Sequence, residues 1–254
     1  KECFFIPYLD LTCLIDKVWS IVFHLISVKS LYIKTMLFPI VICDNFFDDP
    51  DSIMEYGKSL PYKDLRILPG SRTEALHLIN KDFFDWITTK SLKLIYPTQD
   101  VSFVADARFQ KIPVNLEHDG WIHTDRPSEL TAVVYLSKHK NCGTSLFKRK
   151  EGCFPVQKNS FVDNNIIKKE YYGSNKKYDQ RYFNARDEQN QGYERTVKVE
   201  SIYNRLFLFD SFQFHGVENF YDPKLKEDRM TLITFFSNIN GAPRLPIPNT
   251  KRYL

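Results

Sequence analysis

Residues 206–217 read LFLFDSFQFHGV, and this stretch indicates most clearly how the chain folds. Leu206 to Phe209 form a short run of apolar and aromatic residues, which is typical of a strand. Further short runs rich in Val, Ile, Phe and Tyr follow Val101, and they cover residues 130–136, 196–203 and 230–236. Because Gly, Asn and Pro separate these runs and no helical period intervenes, they favour an antiparallel sandwich or barrel over a parallel sheet.

Helix signals precede this β-rich part of the chain. Asp49-Pro50-Asp51 predicts a helix start, since Asp caps free amides and Pro in the first turn has no donor to lose, and the helix should reach Ser59. Asn80 is a second candidate cap, for a helix with most of its apolar side chains on one face. The sequence therefore predicts an α+β, mainly β domain with supporting helices on its N-terminal side.

Two segments depart from this pattern. Residues 1–35 are apolar without a clean period, but Asp16, Lys17 and Lys29 bound the charge-poor run, so it is a poor membrane span. Either the domain covers residues 36–254 and starts near Met36, or residues 1–35 form a helix packed on it. Residues 163–195 are polar with nearly balanced charges, and we expect them to be a looped insertion that closes over the barrel as a mobile lid.

Composition limits the classes of function. At 254 residues the chain can form one large domain, and a net charge of +4 does not indicate nucleic-acid binding. The five cysteines include no Cys-x-x-Cys pair, so free thiols in a reducing, cytoplasmic compartment are the simplest interpretation.

One set of residues suggests metal chemistry. His123-Thr-Asp125 places two ligands on the same side of an extended segment, although a His-x-Asp motif alone is weak evidence. His215 follows the strand at residues 206–209 and supplies a second imidazole. Two His and one carboxylate form a facial triad that leaves three positions open on iron(II).

A carboxylate-binding pair follows the triad in sequence. Arg229 and Thr231 alternate on one face of their predicted strand, so a guanidinium and a hydroxyl can converge on one carboxylate. The alternative for Arg229 is a surface ion pair, because Glu227 and Asp228 precede it.

Five blocks in this order resemble the prolyl-hydroxylase-like branch of the 2-oxoglutarate and iron(II) oxygenases, whose fold is a double-stranded β-helix, a jelly-roll, cupin-like barrel. The resemblance spans about residues 37–240, and its blocks are residues 40–50, 123–125, 132–137, 206–217 and 229–236. It implies that His123, Asp125 and His215 bind the metal and that Arg229, Thr231 and Tyr135 bind the co-substrate.

The sequence also departs from the family. Where the family usually has Gly-Gly-x-Thr-x-Phe, this chain has CGTSLF at residues 142–147, so Ser145 would take the place of the threonine. The 14-residue step from His215 to Arg229 is longer than expected for this branch.

The resemblance implies a dioxygenase that uses Fe(II), 2-oxoglutarate and molecular oxygen to hydroxylate a peptide, amino acid or small molecule, with release of succinate and carbon dioxide. Two alternatives remain open. One is a cupin-type metalloenzyme that does not use 2-oxoglutarate, and the other is a non-catalytic binding module that retains the metal ligands.

Overall fold

Two antiparallel sheets form the core of the computed structural model, which describes residues 38–241 except 66–67, 115, 117, 154–157 and 174–178. The large sheet has seven strands in the order β1-β8-β5-β10-β4-β3-β2. Its strands are β1 (Val41–Cys43), β2 (Tyr62–Asp64), β3 (Ser71–Thr73), β4 (Ser102–Ile112), β5 (Leu130–Tyr135), β8 (Arg205–Asp210) and β10 (Arg229–Asn240).

The small sheet has three strands in the order β7-β6-β9. They are β6 (Thr144–Arg149), β7 (Tyr193–Val199) and β9 (Phe214–Val217). An isolated antiparallel bridge between His123 and His215 adds the segment before β5 to the free edge of β9. Together the two sheets make the double-stranded β-helix expected from the sequence.

The inner face of the large sheet is identified by the side chains that meet the small sheet. Tyr135, Phe207 and Phe209 form a buried cluster with Leu146 and Val199, which come from β6 and β7. Residues directly paired on adjacent strands lie on the same face of a sheet. This face therefore lines the space between the two sheets.

The pairing continues this inner face across the large sheet. Tyr135 is paired with Thr231, and Thr231 is paired with Gln110 on the next strand. Gln110 is in turn paired with Arg72. A row of four polar side chains therefore crosses the inner face.

The supporting helices begin where the sequence predicts. Helix α1 (Pro50–Ser59) is capped by Asp49, whose side chain accepts a hydrogen bond from the Ser52 amide. A short helix, α2 (Leu76–Ile79), precedes α3 (Lys81–Leu92), and Asn80 caps α3 by accepting from the Phe83 amide. Both predicted caps are confirmed.

The prediction of a looped insertion is wrong. Residues 163–195 lie largely in two helices, α4 (Lys158–Gly173) and α5 (Gln180–Gln191), where side chains of α4 are described from residue 164 onward. Tyr171 of α4 and Tyr182 of α5 form a buried cluster with Trp121. This packing explains how two polar helices with few apolar residues are held against the barrel.

The strand predictions are confirmed with shifted ends. The predicted strand at residues 196–203 is instead Tyr193–Val199, because the chain turns before Asn204, which has a positive φ of 63°. Met36 and residues 1–35 lie outside the described residues, so the proposed extension stays a prediction. Within the described part of the chain, no helix is long and apolar enough to cross a membrane.

Candidate metal centre

The three residues proposed as metal ligands meet at one point between the sheets. One donor atom from each of His123, Asp125 and His215 lies within 4.8 Å of the other two. The Asp125 carboxylate is 3.4 Å from Nε2 of His123 and 3.1 Å from Nε2 of His215. Among the described residues this is the one such group of at least three His, Cys, Asp or Glu side chains.

Both imidazoles are oriented by the same local device. Nδ1 of His123 lies 2.8 Å from the carbonyl oxygen of Trp121, and Nδ1 of His215 lies 3.0 Å from that of Gln213. A carbonyl can only accept, so each Nδ1 carries a proton and donates it. Nε2 of each ring is therefore the atom directed at the metal position, which is the second-sphere arrangement common to metal-binding histidines.

Asp125 is held as a carboxylate. Burial favours its neutral form, but attraction to His215 and hydrogen bonds from both imidazoles outweigh burial and hold the pKa of Asp125 well below its usual range. The Thr131 hydroxyl donates a 2.9 Å hydrogen bond to the same carboxylate. The charge and orientation of the third ligand are thus fixed within the protein.

Backbone pairing sets the register of the two histidines. The His123 amide donates to the His215 carbonyl, and the His215 amide donates to the His123 carbonyl, both at 2.9 Å. Gly120 continues this pairing by donating to Val217 at 2.9 Å, and a Cβ at Gly120 would come within 2.8 Å of the Val217 side chain. The approach of this segment to β9 therefore requires glycine at position 120.

The donor set fits a metal ion. Ligand atoms about 2.1 Å from a shared ion, at right angles to one another, lie roughly 3 Å apart. One oxygen of Asp125 lies 3.4 Å from Nε2 of His123, the other lies 3.1 Å from Nε2 of His215, and one donor atom from each residue lies within 4.8 Å of the other two, so a modest adjustment brings the three donors to this spacing. Two imidazole nitrogens and one carboxylate are also the donors of a facial triad with open positions.

Arg229 lies on the inner face, and its surroundings exclude the surface ion pair that the sequence left open. Its side chain is buried, and its guanidinium donates to the Cys142 carbonyl at 2.8 Å and lies 6.0 Å from the Tyr135 ring centroid. Burial lowers its pKa from the usual value, yet arginine stays protonated in proteins. Among the described residues no carboxylate lies within ion-pair distance of Arg229, whereas Asp228 accepts from the Val114 amide instead.

Hydroxyl groups accompany Arg229. Thr231 and Tyr135 are both buried, and the Tyr135 hydroxyl donates to Thr144 at 2.9 Å. Thr144 shares the inner face with Leu146, whereas Ser145 points the other way and bonds Glu218. The hydroxyl that reaches Tyr135 on the inner face is therefore that of Thr144, whereas the match of Ser145 to the family threonine stays a prediction.

Two further residues on the inner face were not found from the sequence. Gln110 is buried and donates to the Pro69 carbonyl at 2.7 Å. Arg72 lies beside it, and its Nε is buried without a hydrogen-bond partner among the described residues. Burial lowers the pKa of Arg72, and the negative charge of Asp125 acts in the opposite direction. The strand of Arg72, β3, has three residues and no apolar pattern that would have predicted it.

The other candidates are not metal ligands. His118 is partly buried against aromatic rings, and its Nε2 lies 3.1 Å from the Tyr171 hydroxyl. Cys43, Cys142 and Cys153 are free thiols, as predicted, and none belongs to the metal group. His139 is fully buried, and its Nδ1 lies 3.1 Å from the Ser137 hydroxyl.

Comparisons with known proteins agree with this architecture. The model of a family of unknown function, DUF6445, matches residues 25–236, and no curated protein is a significant match. The chain is similar in structure to HygX from Streptomyces hygroscopicus with nickel and 2-oxoglutarate bound (12% identity, 82% of this chain and 86% of that chain, TM-score 0.50).

Two further solved structures are similar at lower TM-scores. They are an oxidoreductase of the 2OG-Fe(II) oxygenase family from Burkholderia pseudomallei (12% identity, 81% and 87% coverage, TM-score 0.44) and a prolyl-4-hydroxylase from Pseudomonas putida (12% identity, 78% and 91% coverage, TM-score 0.41). The similarity to HygX confirms the resemblance inferred from the sequence at the level of the fold. The chain belongs to the DUF6445 family and has the fold of the 2-oxoglutarate and iron(II)-dependent oxygenases.

Proposed function

We propose that this chain is an iron(II)- and 2-oxoglutarate-dependent dioxygenase that hydroxylates a peptide, amino acid or small molecule and releases succinate and carbon dioxide. His123, Asp125 and His215 would bind the metal. Arg229, Thr231 and Tyr135 would bind the co-substrate. The free thiols fit a reducing compartment such as the cytoplasm.

The observation that carries this proposal is the buried, unpaired guanidinium of Arg229. A buried cation without a counter-ion is unfavourable, so its retention suggests that an anion binds there. Along β5, Tyr135 and Thr131 are roughly 13 Å apart. The Thr131 hydroxyl contacts Asp125, and the side chains at both positions reach into the space between the two sheets. A five-carbon diacid fits such a space, with one end at the triad and the other at Arg229.

Each of the chain's own residues has a role in this scheme. The guanidinium of Arg229 pairs with the far carboxylate, and a hydroxyl from Thr231 or Tyr135 adds a second donor. His123, Asp125 and His215 would hold the metal, and the metal would supply the activation of oxygen that oxidative decarboxylation requires. Phe207 and Phe209 line the interior and keep water from it.

The same observation weighs against one of the two alternatives. In a cupin-type enzyme without 2-oxoglutarate, Arg229 would be structural, yet the side-chain contacts described for it are one carbonyl and one aromatic ring. A non-catalytic binding module would bind metal and 2-oxoglutarate but produce no succinate. HygX, which has the same fold, binds nickel and 2-oxoglutarate.

Succinate formation without a primary substrate tests the proposal, because uncoupled turnover does not depend on knowing that substrate. We expect wild-type protein with iron(II), 2-oxoglutarate and oxygen to release succinate. Arg229→Ala should still bind iron, but its affinity for 2-oxoglutarate should fall by about 2–4 kcal/mol, since a buried carboxylate loses its charge partner.

The matched control is Arg195→Ala. Arg195 already has a carboxylate partner, Glu218, at 2.9 Å and lies half-exposed on the small sheet. Its replacement should leave 2-oxoglutarate binding unchanged. Metal binding with no succinate from the wild type would favour the binding module, and equal 2-oxoglutarate affinity in the wild type and Arg229→Ala would assign the anchor to another residue.

A further inference from the structure

The segment that carries His123, residues 120–123, has two backbone edges with different partners. One edge faces β9 and makes the hydrogen bonds of Gly120 and His123 described above. In an extended chain, the amide and carbonyl of the residue next to His123 point away from β9. The amide and carbonyl of Ile122 therefore face α5.

Two amide side chains of α5 form hydrogen bonds with that second edge. The Asn190 side chain accepts from the Ile122 amide at 2.9 Å and donates to the Gly120 carbonyl at 2.9 Å. The Gln189 side chain donates to the Ile122 carbonyl at 2.6 Å. Since a side-chain amide offers one carbonyl and one NH2 group, Asn190 pairs with this segment as the backbone of a neighbouring strand would.

Further contacts fix α5 against the same segment. Arg186 is buried, and its guanidinium contacts the Asp119 carboxylate at 2.9 Å and the Asp119 carbonyl at 3.3 Å. Tyr182 packs against Trp121, with ring centroids 5.6 Å apart. The helix is thus attached to three consecutive residues before Ile122 as well as to Ile122 itself.

The segment needs this second support. The side chain of His123 is 50% exposed, so packing holds it weakly, whereas that of His215 is 7% exposed. The Trp121 carbonyl that orients the His123 ring belongs to the same segment. Any shift of residues 120–122 therefore moves both the ligand and the group that directs its Nε2.

We propose that Gln189 and Asn190 are positioning residues, which hold the His123 segment in register with β9 so that Nε2 of His123 reaches the metal. The inserted helices are then a fixed support of the metal centre and not the mobile lid expected from the sequence. The proposal rests on the metal site of the proposed function. Neither amide side chain is itself a metal ligand.

Cobalt(II) titration of the full-length protein tests this role. We expect Asn190→Ala and Gln189→Glu each to weaken cobalt binding about tenfold, as loss of outer-sphere support does at other metal sites. Gln189→Glu is informative because a new negative charge near the site would by itself strengthen cation binding. A weaker affinity must then come from the lost hydrogen bond to Ile122.

Matched controls lie on the exposed face of the same helix. Asn184→Ala and Gln191→Glu make the same chemical changes at exposed positions of α5, away from the segment. Both should bind cobalt like the wild type. The proposal is overturned if Asn190→Ala and Gln189→Glu bind cobalt with the same affinity as these controls, within twofold. A lower melting temperature of Asn190→Ala would not change that conclusion.

Hydrogen exchange of the metal-free protein separates this inference from the proposed function. The Ile122 amide should exchange at least tenfold faster in Asn190→Ala than in Asn184→Ala, because it loses its acceptor. If the wild type binds no cobalt, the proposed function fails, and the exchange of the Ile122 amide alone decides whether Asn190 holds the segment. An unchanged exchange rate at Ile122 contradicts that support in either case.

Discussion

The two histidines of the triad are oriented alike and supported differently. Each donates from Nδ1 to the carbonyl two residues before it, and each pairs with the other through the backbone. His215 lies in β9, inside a regular sheet, and its side chain is buried. His123 lies half-exposed on an irregular segment whose second edge is bound by α5.

This difference shows that the metal centre joins two kinds of structure. The β9 side comes from the barrel shared with the 2-oxoglutarate oxygenase fold. The His123 side is contacted by α5, which lies outside the two sheets. One proposed ligand therefore lies in a sheet of the core, and the other lies on a segment that is bound by a helix outside it.

The largest expected effect is on the stability of the metal-free protein. His215→Ala should lower the free energy of unfolding by about 2–3 kcal/mol, because it leaves the largely buried Asp125 carboxylate without the nearer of its two imidazole partners. His123→Ala should cost less than about 1 kcal/mol, since that side chain is half-exposed. Urea denaturation at pH 6 with a chelator measures both.

His77→Ala, at an exposed histidine of α2, is the control and should unfold like the wild type. Equal costs for His123→Ala and His215→Ala would mean that the two sides of the centre are supported alike. The comparison drawn above would then be wrong.

A smaller effect on the free energy of unfolding should appear when the pH is lowered, and it should arise on the His123 side of the centre. Burial among aromatic rings, including Tyr171, Tyr182 and Phe220, lowers the pKa of His118 from 6.5 to about 4. The unfolded chain therefore binds more protons than the folded chain between these values, and stability falls as the pH drops through this window. Between pH 7 and pH 5 this amounts to about 2 kcal/mol.

His118→Gln removes this titration and should reduce the loss of stability between pH 7 and pH 5 by about that amount. Denaturant unfolding at the two pH values measures it. His77→Gln, at an exposed position, should keep the wild-type dependence. If His118→Gln also retains the full loss of stability, the protonation of another group weakens this region in acid.

The fold and the proposed ligands were largely predictable, because short stretches of the sequence indicated them. Asp49 and Asn80 cap their helices as expected, and the short apolar runs became strands, three of them in the large sheet and one in the small sheet. The proposed ligands His123, Asp125 and His215 followed from their spacing and from the strand before His215, and the structure brings them together. These features depend on neighbours in sequence.

The features that were missed depend on neighbours in space. Arg72 and Gln110 reach the inner face through strand pairing that no local pattern specifies. The second edge of the His123 segment depends on side chains more than sixty residues away, since Asn190 and Ile122 are separated by 68 positions. Helix α5 had one local signal, because Asp179 caps it and residues with high helix propensity follow, including Ala185 and Gln189.

Visible absorption under anaerobic conditions tests the central claim most directly, namely that His123, Asp125 and His215 together hold a metal that 2-oxoglutarate can chelate. With iron(II) and 2-oxoglutarate, the wild type should show the charge-transfer band of a chelated keto acid, and iron(II) alone should not produce it. Replacing any one of the three residues by Ala should abolish the band. A band of wild-type strength in all three variants would contradict the account.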